Sequence, residues 1–171
     1  MKFWKYFFSL QESNTIKTEK KLFIDKIKHL KDETSIYLSF SKKVNLQELE
    51  LLCDSVGWIR RPLKKVKLAL DNSFLSVSLF CSKDNIEKMI GFARVTSDGS
   101  FNATIWDVVI HPEFQGMGLG KALMNEVIKQ LRKYDISTIT LFADPEVVKF
   151  YKHIGFIVDP DGVKGMFWYP I

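Results

Sequence analysis

The 171-residue sequence predicts one α/β domain, a mixed sheet of about six to seven strands with helices on both faces. Three observations carry that expectation. Short apolar strands recur along the chain, amphipathic segments with cap residues interrupt them, and one strand leads through a glycine-rich loop into the strongest helix. The 46% hydrophobic content is enough to cover both faces of such a sheet.

Ile36–Phe40 reads as the first strand. Asn45 fits a helix N-cap with Glu48 at N3, and Leu46, Leu49, Leu52 and Val56 follow at helical spacing up to a stop at Gly57. Pro62 suits the first turn of a second helix reaching about Leu70. Phe74–Phe80, Lys88–Thr96 and Ile105–Ile110 are strands by composition. Leu119–Lys133 is the clearest helix, with Leu123, Met124, Val127, Ile128 and Leu131 in one stripe and Glu126 among the polar residues outside it. Thr138–Ala143 is a further strand, and Asp144-Pro145 opens another helix as N-cap and N1. Phe156–Val158 and Val163–Trp168 read as a terminal hairpin around Asp159-Pro160-Asp161-Gly162.

Residues 1–34 are lysine-rich and weakly patterned, and we expect an N-terminal extension there, with the domain at 35–171. A short helix over Lys20–Lys31 would place Phe23, Ile27 and Leu30 on one face. The first 67 residues hold the whole positive excess of a chain whose formal charge is +5; the remainder is slightly acidic. Only four arginines are present (Arg60, Arg61, Arg94, Arg132), so rigid guanidinium forks for phosphate or base readout are scarce, and a nucleic-acid partner is disfavoured. Arg60, Arg61, Lys64, Lys65 and Lys67 read most simply as a solvated helix face. No apolar run approaches the roughly 18–20 residues of a membrane span, and the aromatic stretch Phe3–Leu10 carries Lys5 and lacks a small-residue cleavage site. Cys53 and Cys81 cannot make a disulfide framework and fit as small core residues. His29, His111 and His153 have no metal-ligand spacing between them, so no metal is expected.

The most informative segment runs from Ile105 to Lys121. Three alternate glycines, Gly116, Gly118 and Gly120, stand between a strand and an amphipathic helix, where backbone N–H groups and the helix N-terminus can meet an anion. The segment fails as a P-loop, because Gln115 stands where the first glycine belongs and Ala122 follows Gly120-Lys121. It also fails as a dinucleotide fingerprint, because five residues intervene after Ile110 and Gly118-Leu119-Gly120-Lys121-Ala122-Leu123 lacks the last small residue.

What the loop does match is Gln/Arg-x-x-Gly-x-Gly/Ala, from Gln115 to Gly120, and in this it resembles the acetyl-CoA pyrophosphate loop of the GNAT N-acetyltransferases. Phe150-Tyr151 followed by Gly155-Phe156 is a second shared feature, and the resemblance covers residues 35–171. Residues 57–70, 101–123, 139–144 and 162–170 look like the plastid and cyanobacterial branch, which includes plant serotonin N-acetyltransferases and plastid enzymes that acetylate protein lysines and N-termini. The resemblance implies a GNAT fold, acetyl-CoA as co-substrate, no metal, and a plastid location, or a cytoplasmic one in a cyanobacterium. A homodimer is compatible with it.

Residue by residue, the resemblance implies that the pantetheine arm of acetyl-CoA pairs with the backbone of Val108, Val109 and Ile110. It puts the pyrophosphate on the amides of Gln115, Gly116, Met117, Gly118, Leu119, Gly120 and Lys121. Tyr151 would protonate the departing thiolate, the alternative being a core tyrosine. Asp144, where many members have Asn, would either cap its helix or relay the amine proton, and the two uses are compatible. Asp107 is a second carboxylate candidate in an apolar strand, where a charge is costly unless it faces a cleft or a partner. Strand alternation puts Trp106 and Asp107 on opposite faces, so both reach one site only across a bulge. The family has such a distortion here, with N–H groups suited to an oxyanion. Trp106 is either an aromatic wall for the acceptor or core. The expected activity is direct acetyl transfer to a primary amine in a ternary complex, the acceptor an arylalkylamine such as serotonin or a protein amine. The rival readings are a non-catalytic acyl-CoA-binding or partner-binding module and a nucleic-acid-associated protein.

Overall fold

The computed structural model describes residues 21–23, 34–41 and 43–169. Six strands form one sheet in chain order: β1 (Lys21–Phe23), β2 (Ser35–Ser39), β3 (Leu75–Lys83), β4 (Ile86–Ser97), β5 (Asn102–Ile110) and β6 (Thr138–Leu141). All neighbours are antiparallel except β5 and β6, which run parallel. Helices α1 (Leu46–Ser55) and α2 (Leu63–Asp71) cover one face, and α3 (Leu119–Lys133) and α4 (Val148–Ile154) the other.

The first face is a small core in which Leu49, Leu52 and Cys53 of α1 and Leu70 of α2 bury Met89, Phe92 and Val109. The second is larger: Leu119, Leu123, Met124, Val127 and Leu131 of α3 lie over Val77, Ile90, Val95 and Ile105. Two β-bulges let β4 and β5 serve both. At the first, Leu79 and Phe80 of β3 face Gly91 and Met89, leaving Ile90 as the extra residue whose side chain turns to the α3 face. Gly91, just beyond it, pairs with Ile110, and a Cβ there would stand 2.7 Å from Ile110 Cδ1 and 3.1 Å from Leu79 Cβ. Gly91→Ala therefore overpacks the sheet and should cost about 1–3 kcal/mol, read as a lower urea midpoint at unchanged slope.

The caps act largely as expected. Asn45 accepts from the N–H groups of Gln47 and Glu48 at 3.0 and 3.2 Å, and Gly57, with φ 77°, ends the α1 region. Pro62, at the N-cap of α2, fixes the next entry. The β4–β5 turn is held by Asp98, which accepts from the N–H groups of Ser100, Phe101 and Asn102; these bonds pull its carboxyl down to about 2.

Four expectations are corrected. Lys21–Phe23 is an edge strand on β2, not helix, and residues 24–31 of that expected helix lie outside the described residues. Glu126, expected on the polar side of α3, is buried and takes hydrogen bonds from Gln130 and Lys129. A 3-10 turn, Pro145–Val147, separates Asp144 from α4, so Asp144 does not cap that helix with its side chain. The terminal hairpin does not form. Asp159 and Asp161 adopt left-handed backbone, Pro160 has no N–H to give a ladder, and the chain curls into a single 3-10 turn, Pro160–Gly162. Phe167 instead packs edge-on against Phe142, ring centres 5.2 Å apart.

Candidate active site

The site begins where a ladder stops. The strands β5 and β6 pair only from Asn102↔Thr138 to Ile105↔Leu141 and then diverge. Between them opens a cavity of about 280 Å³, walled by Trp106–Ile110 of β5, by Leu141, Phe142 and Asp144 after β6, by Tyr151 of α4, and by Val56 and Trp58 after α1. The His111 N–H donates to the Ile90 carbonyl, which makes Gly91–Ile110 a non-hydrogen-bonded pair. The N–H and C=O of Ile110 thus face away from β4 toward the divergence. The Gln115 side chain reaches back and donates from Nε2 to the Ile110 carbonyl at 2.9 Å, fastening the strand end to the glycine loop.

The second bulge lies in this wall. Phe92 pairs with Val109 and Arg94 with Trp106, so Ala93 faces the two residues Asp107 and Val108. Asp107 takes φ 54°, a left-handed conformation that Asp tolerates better than most residues. The kink puts the Trp106 and Asp107 side chains on the same, α1-facing side. Trp106 Nε1 donates to Thr96 Oγ1 at 2.9 Å, and its ring lies against Phe142 at 5.5 Å. Asp107 accepts from Arg94 Nε at 2.8 Å on Oδ2 and from Arg61 Nη1 at 3.0 Å on Oδ1. Arg94 is mostly buried in this pair, its side chain 13% exposed against 44% for Arg61. Cys53 lies beneath them in the smaller core; burial pushes its thiol up, opposed by the Arg61 charge.

Tyr151 is buried at 9% exposure, with its ring edge-on to Phe150 and Phe156. Burial, and then the charge of Asp144, raises its phenol above the ordinary range, so it keeps its proton. Asp144 is exposed on the cavity wall. The sequence leaves Asp144 as a helix cap, a proton relay or both; the cap bond is unmade, and the carboxylate is available to the cavity.

The glycine loop lies at the far end of β5. Gly116 and Gly118 have φ 76° and 81°, and a Cβ on either would meet nothing within 4 Å, so the backbone conformation and not the space calls for glycine. The first helical bond of α3 runs from the Ala122 N–H to the Gly118 carbonyl, which leaves the N–H groups of Leu119, Gly120 and Lys121 without a helical partner. Gly120 has a different reason: a Cβ there would stand 3.3 Å from the Phe150 ring, so its absence lets α4 close on α3 beside Tyr151.

Arg61 and Arg94 are the residues sequence reasoning did not connect to the site. Arg61 reads from the sequence as solvated, and only the sheet bulge brings Asp107 to it across 46 positions. Trp58 and Phe142 also line the cavity without having been singled out. Among the described residues no group of His, Cys, Asp and Glu could hold a metal ion.

The site thus joins a splayed parallel strand pair, a bulged strand beside it and a glycine loop that opens a helix. The pattern of the acetyltransferase (GNAT) family matches residues 44–156, and the chain belongs to that family as an N-acetyltransferase. It is 60% identical to the "uncharacterized N-acetyltransferase ycf52" of Gracilaria tenuistipitata var. liui, with all of each chain covered. It is 46% identical to "GCN5-related N-acetyltransferase 2, chloroplastic" of Arabidopsis thaliana, over 79% of this chain and 58% of that one. Among solved structures, a GNAT-family acetyltransferase of Streptococcus pneumoniae shares the fold with a TM-score of 0.66 at 22% identity, over 79% of this chain and 98% of that one.

Proposed function

We propose that this chain moves the acetyl group of acetyl-CoA to a primary amine by direct attack within a ternary complex, and that the acceptor enters through the Trp58, Trp106 and Phe142 side of the cavity. The observation that carries the reading is the divergence of β5 and β6, which leaves one cavity walled by a protonated Tyr151 and a carboxylate, Asp144. In this reading the pyrophosphate rests on the loop from Gln115 to Lys121, where the N–H groups of Leu119, Gly120 and Lys121 have no helical partner, and the pantetheine arm lies along Val108, Val109 and Ile110. The acceptor arrives as an ammonium ion and passes a proton through water to Asp144, since both oxygens of Asp107 are already taken by arginines. The amine nitrogen bonds to the thioester carbon, and the oxygen gains charge that an N–H at the bulge can hold. As the tetrahedral species collapses the C–S bond breaks, Tyr151 gives its proton to the sulfur, and the nitrogen releases its second proton to water. Solvent then restores the phenol.

Aromatic rings beside acidic groups suit a cation with an aromatic body, which favours an arylalkylamine such as serotonin or tryptamine. A protein lysine is the second reading, favoured because a relative 52% identical over 79% of this chain, from Glycine max, is named a histone acetyltransferase. The chloroplastic relatives support a plastid stroma as the place of action. Thiol release from acetyl-CoA with serotonin, tryptamine, spermidine and a lysine peptide separates the readings. We expect the two indoles to be preferred. Indifference to both, with brisk turnover of the peptide, would overturn the arylalkylamine assignment.

A further inference from the structure

The residues joining α1 to α2, Gly57–Pro62, contain two adjacent arginines with different partners. Arg60 bonds Asp54 through Nε and Nη2, which ties the segment to its own helix. Arg61 bonds Asp107 and so ties it to the bulge of β5. Trp58 stands between these anchors and the end of α1, its backbone N–H on the Cys53 carbonyl at 3.2 Å, and it lines the cavity.

The two arginines on Asp107 are not equivalent. Arg94 comes from the neighbouring strand and is mostly buried, so it can hold the bulge without help. Arg61 is half exposed, and an ion pair in such a setting contributes little to stability. What Arg61 adds is a fixed distance between the segment carrying Trp58 and the strand carrying Trp106. We propose that Arg61 is a positioning residue for the acceptor: its bond to Asp107 clamps Gly57–Pro62 beside the cavity and sets Trp58 as a wall opposite Trp106. This rests on the reading that the acceptor occupies this cavity.

The test uses tryptamine as acceptor with the full chain. Arg61→Ala should raise the KM for tryptamine about tenfold while the KM for acetyl-CoA and the Tm stay near those of the unaltered protein. Arg61→Lys keeps the charge but loses the planar guanidinium, and should fall between the two. In a Trp58→Ala background the same Arg61→Ala change should add less than about twofold, because the wall it positions is gone. Exposed Lys64 serves as a charge control: Lys64→Ala should leave the tryptamine KM unchanged.

A readout without turnover comes from a chain in which Trp4, Trp106 and Trp168 are replaced by Phe. Acrylamide quenching of the remaining Trp58 should steepen on Arg61→Ala. Equal KM increases in both backgrounds would assign Arg61 to direct acceptor contact and overturn the proposal. A Tm several degrees lower with unchanged KM, or quenching that does not move, would overturn it too. If the unaltered protein ignores tryptamine, the acceptor reading fails, and the quenching still decides the clamp.

Discussion

Tyr151→Phe should lower kcat about 100-fold while leaving the KM for acetyl-CoA in place, the size expected when a positioned proton donor is removed. Phenylalanine keeps the ring and its edge contacts with Phe150 and Phe156, so the packing around α4 survives. The variant loses only the hydroxyl that, on the proposed reading, protonates the departing sulfur. The pH profile provides a second check. Burial, and next to it the charge of Asp144, raises the phenol, so the protonated and active form persists beyond the ordinary tyrosine range. Turnover should accordingly climb with pH as the acceptor ammonium loses its proton, with no decline traceable to Tyr151 below about pH 10. Stopped-flow thiol release under saturating, chemistry-limited conditions measures both. Equal rates for the two proteins there would remove Tyr151 from the chemistry.

Asp107→Ala should destabilise the fold by about 3 kcal/mol, because it takes the partner from a mostly buried guanidinium. It also puts alanine at φ 54°, which costs about 1–2 kcal/mol on its own and is part of the same total. In a domain of this size that corresponds to a fall of roughly 8 °C in Tm. Asn tolerates the left-handed backbone and keeps one acceptor oxygen, so Asp107→Asn should lose less. Scanning calorimetry of the three proteins gives the order. If alanine and asparagine were equally harmless, the ion pairs would not be what holds the bulge.

These two residues show what could be read from the chain and what could not. Tyr151 was legible because Phe150-Tyr151 and Gly155-Phe156 lie close together on one helix and its exit, a local pattern. Helix α3 was legible end to end, since Gly118 and an apolar stripe state its limits locally. The bulge at Asp107 was legible as a conflict: an aromatic and a carboxylate, adjacent in a strand, both suited to one site. Its solution was not, because Arg61 lies 46 positions away and no local pattern names the partner of an arginine. The terminal hairpin misled because Asp-Pro-Asp-Gly is a turn signal whose hand the sequence does not reveal; two left-handed aspartates closed it into a 3-10 turn. Glu126 misled because helical periodicity sorts residues by polarity and cannot anticipate that Gln130 and Lys129 will satisfy a carboxylate that has been covered.

The short pairing of β5 with β6 has a bearing on how the protein meets its donor. Past Ile105 and Leu141 the sheet is left one strand short, with the Ile110 N–H turned toward the gap. The polar amides of a pantetheine arm have the spacing to serve as that missing strand. On the proposed reading acetyl-CoA is therefore a structural part of the enzyme as well as its reagent. On that reading the domain completes its sheet only while it holds the molecule it is about to consume.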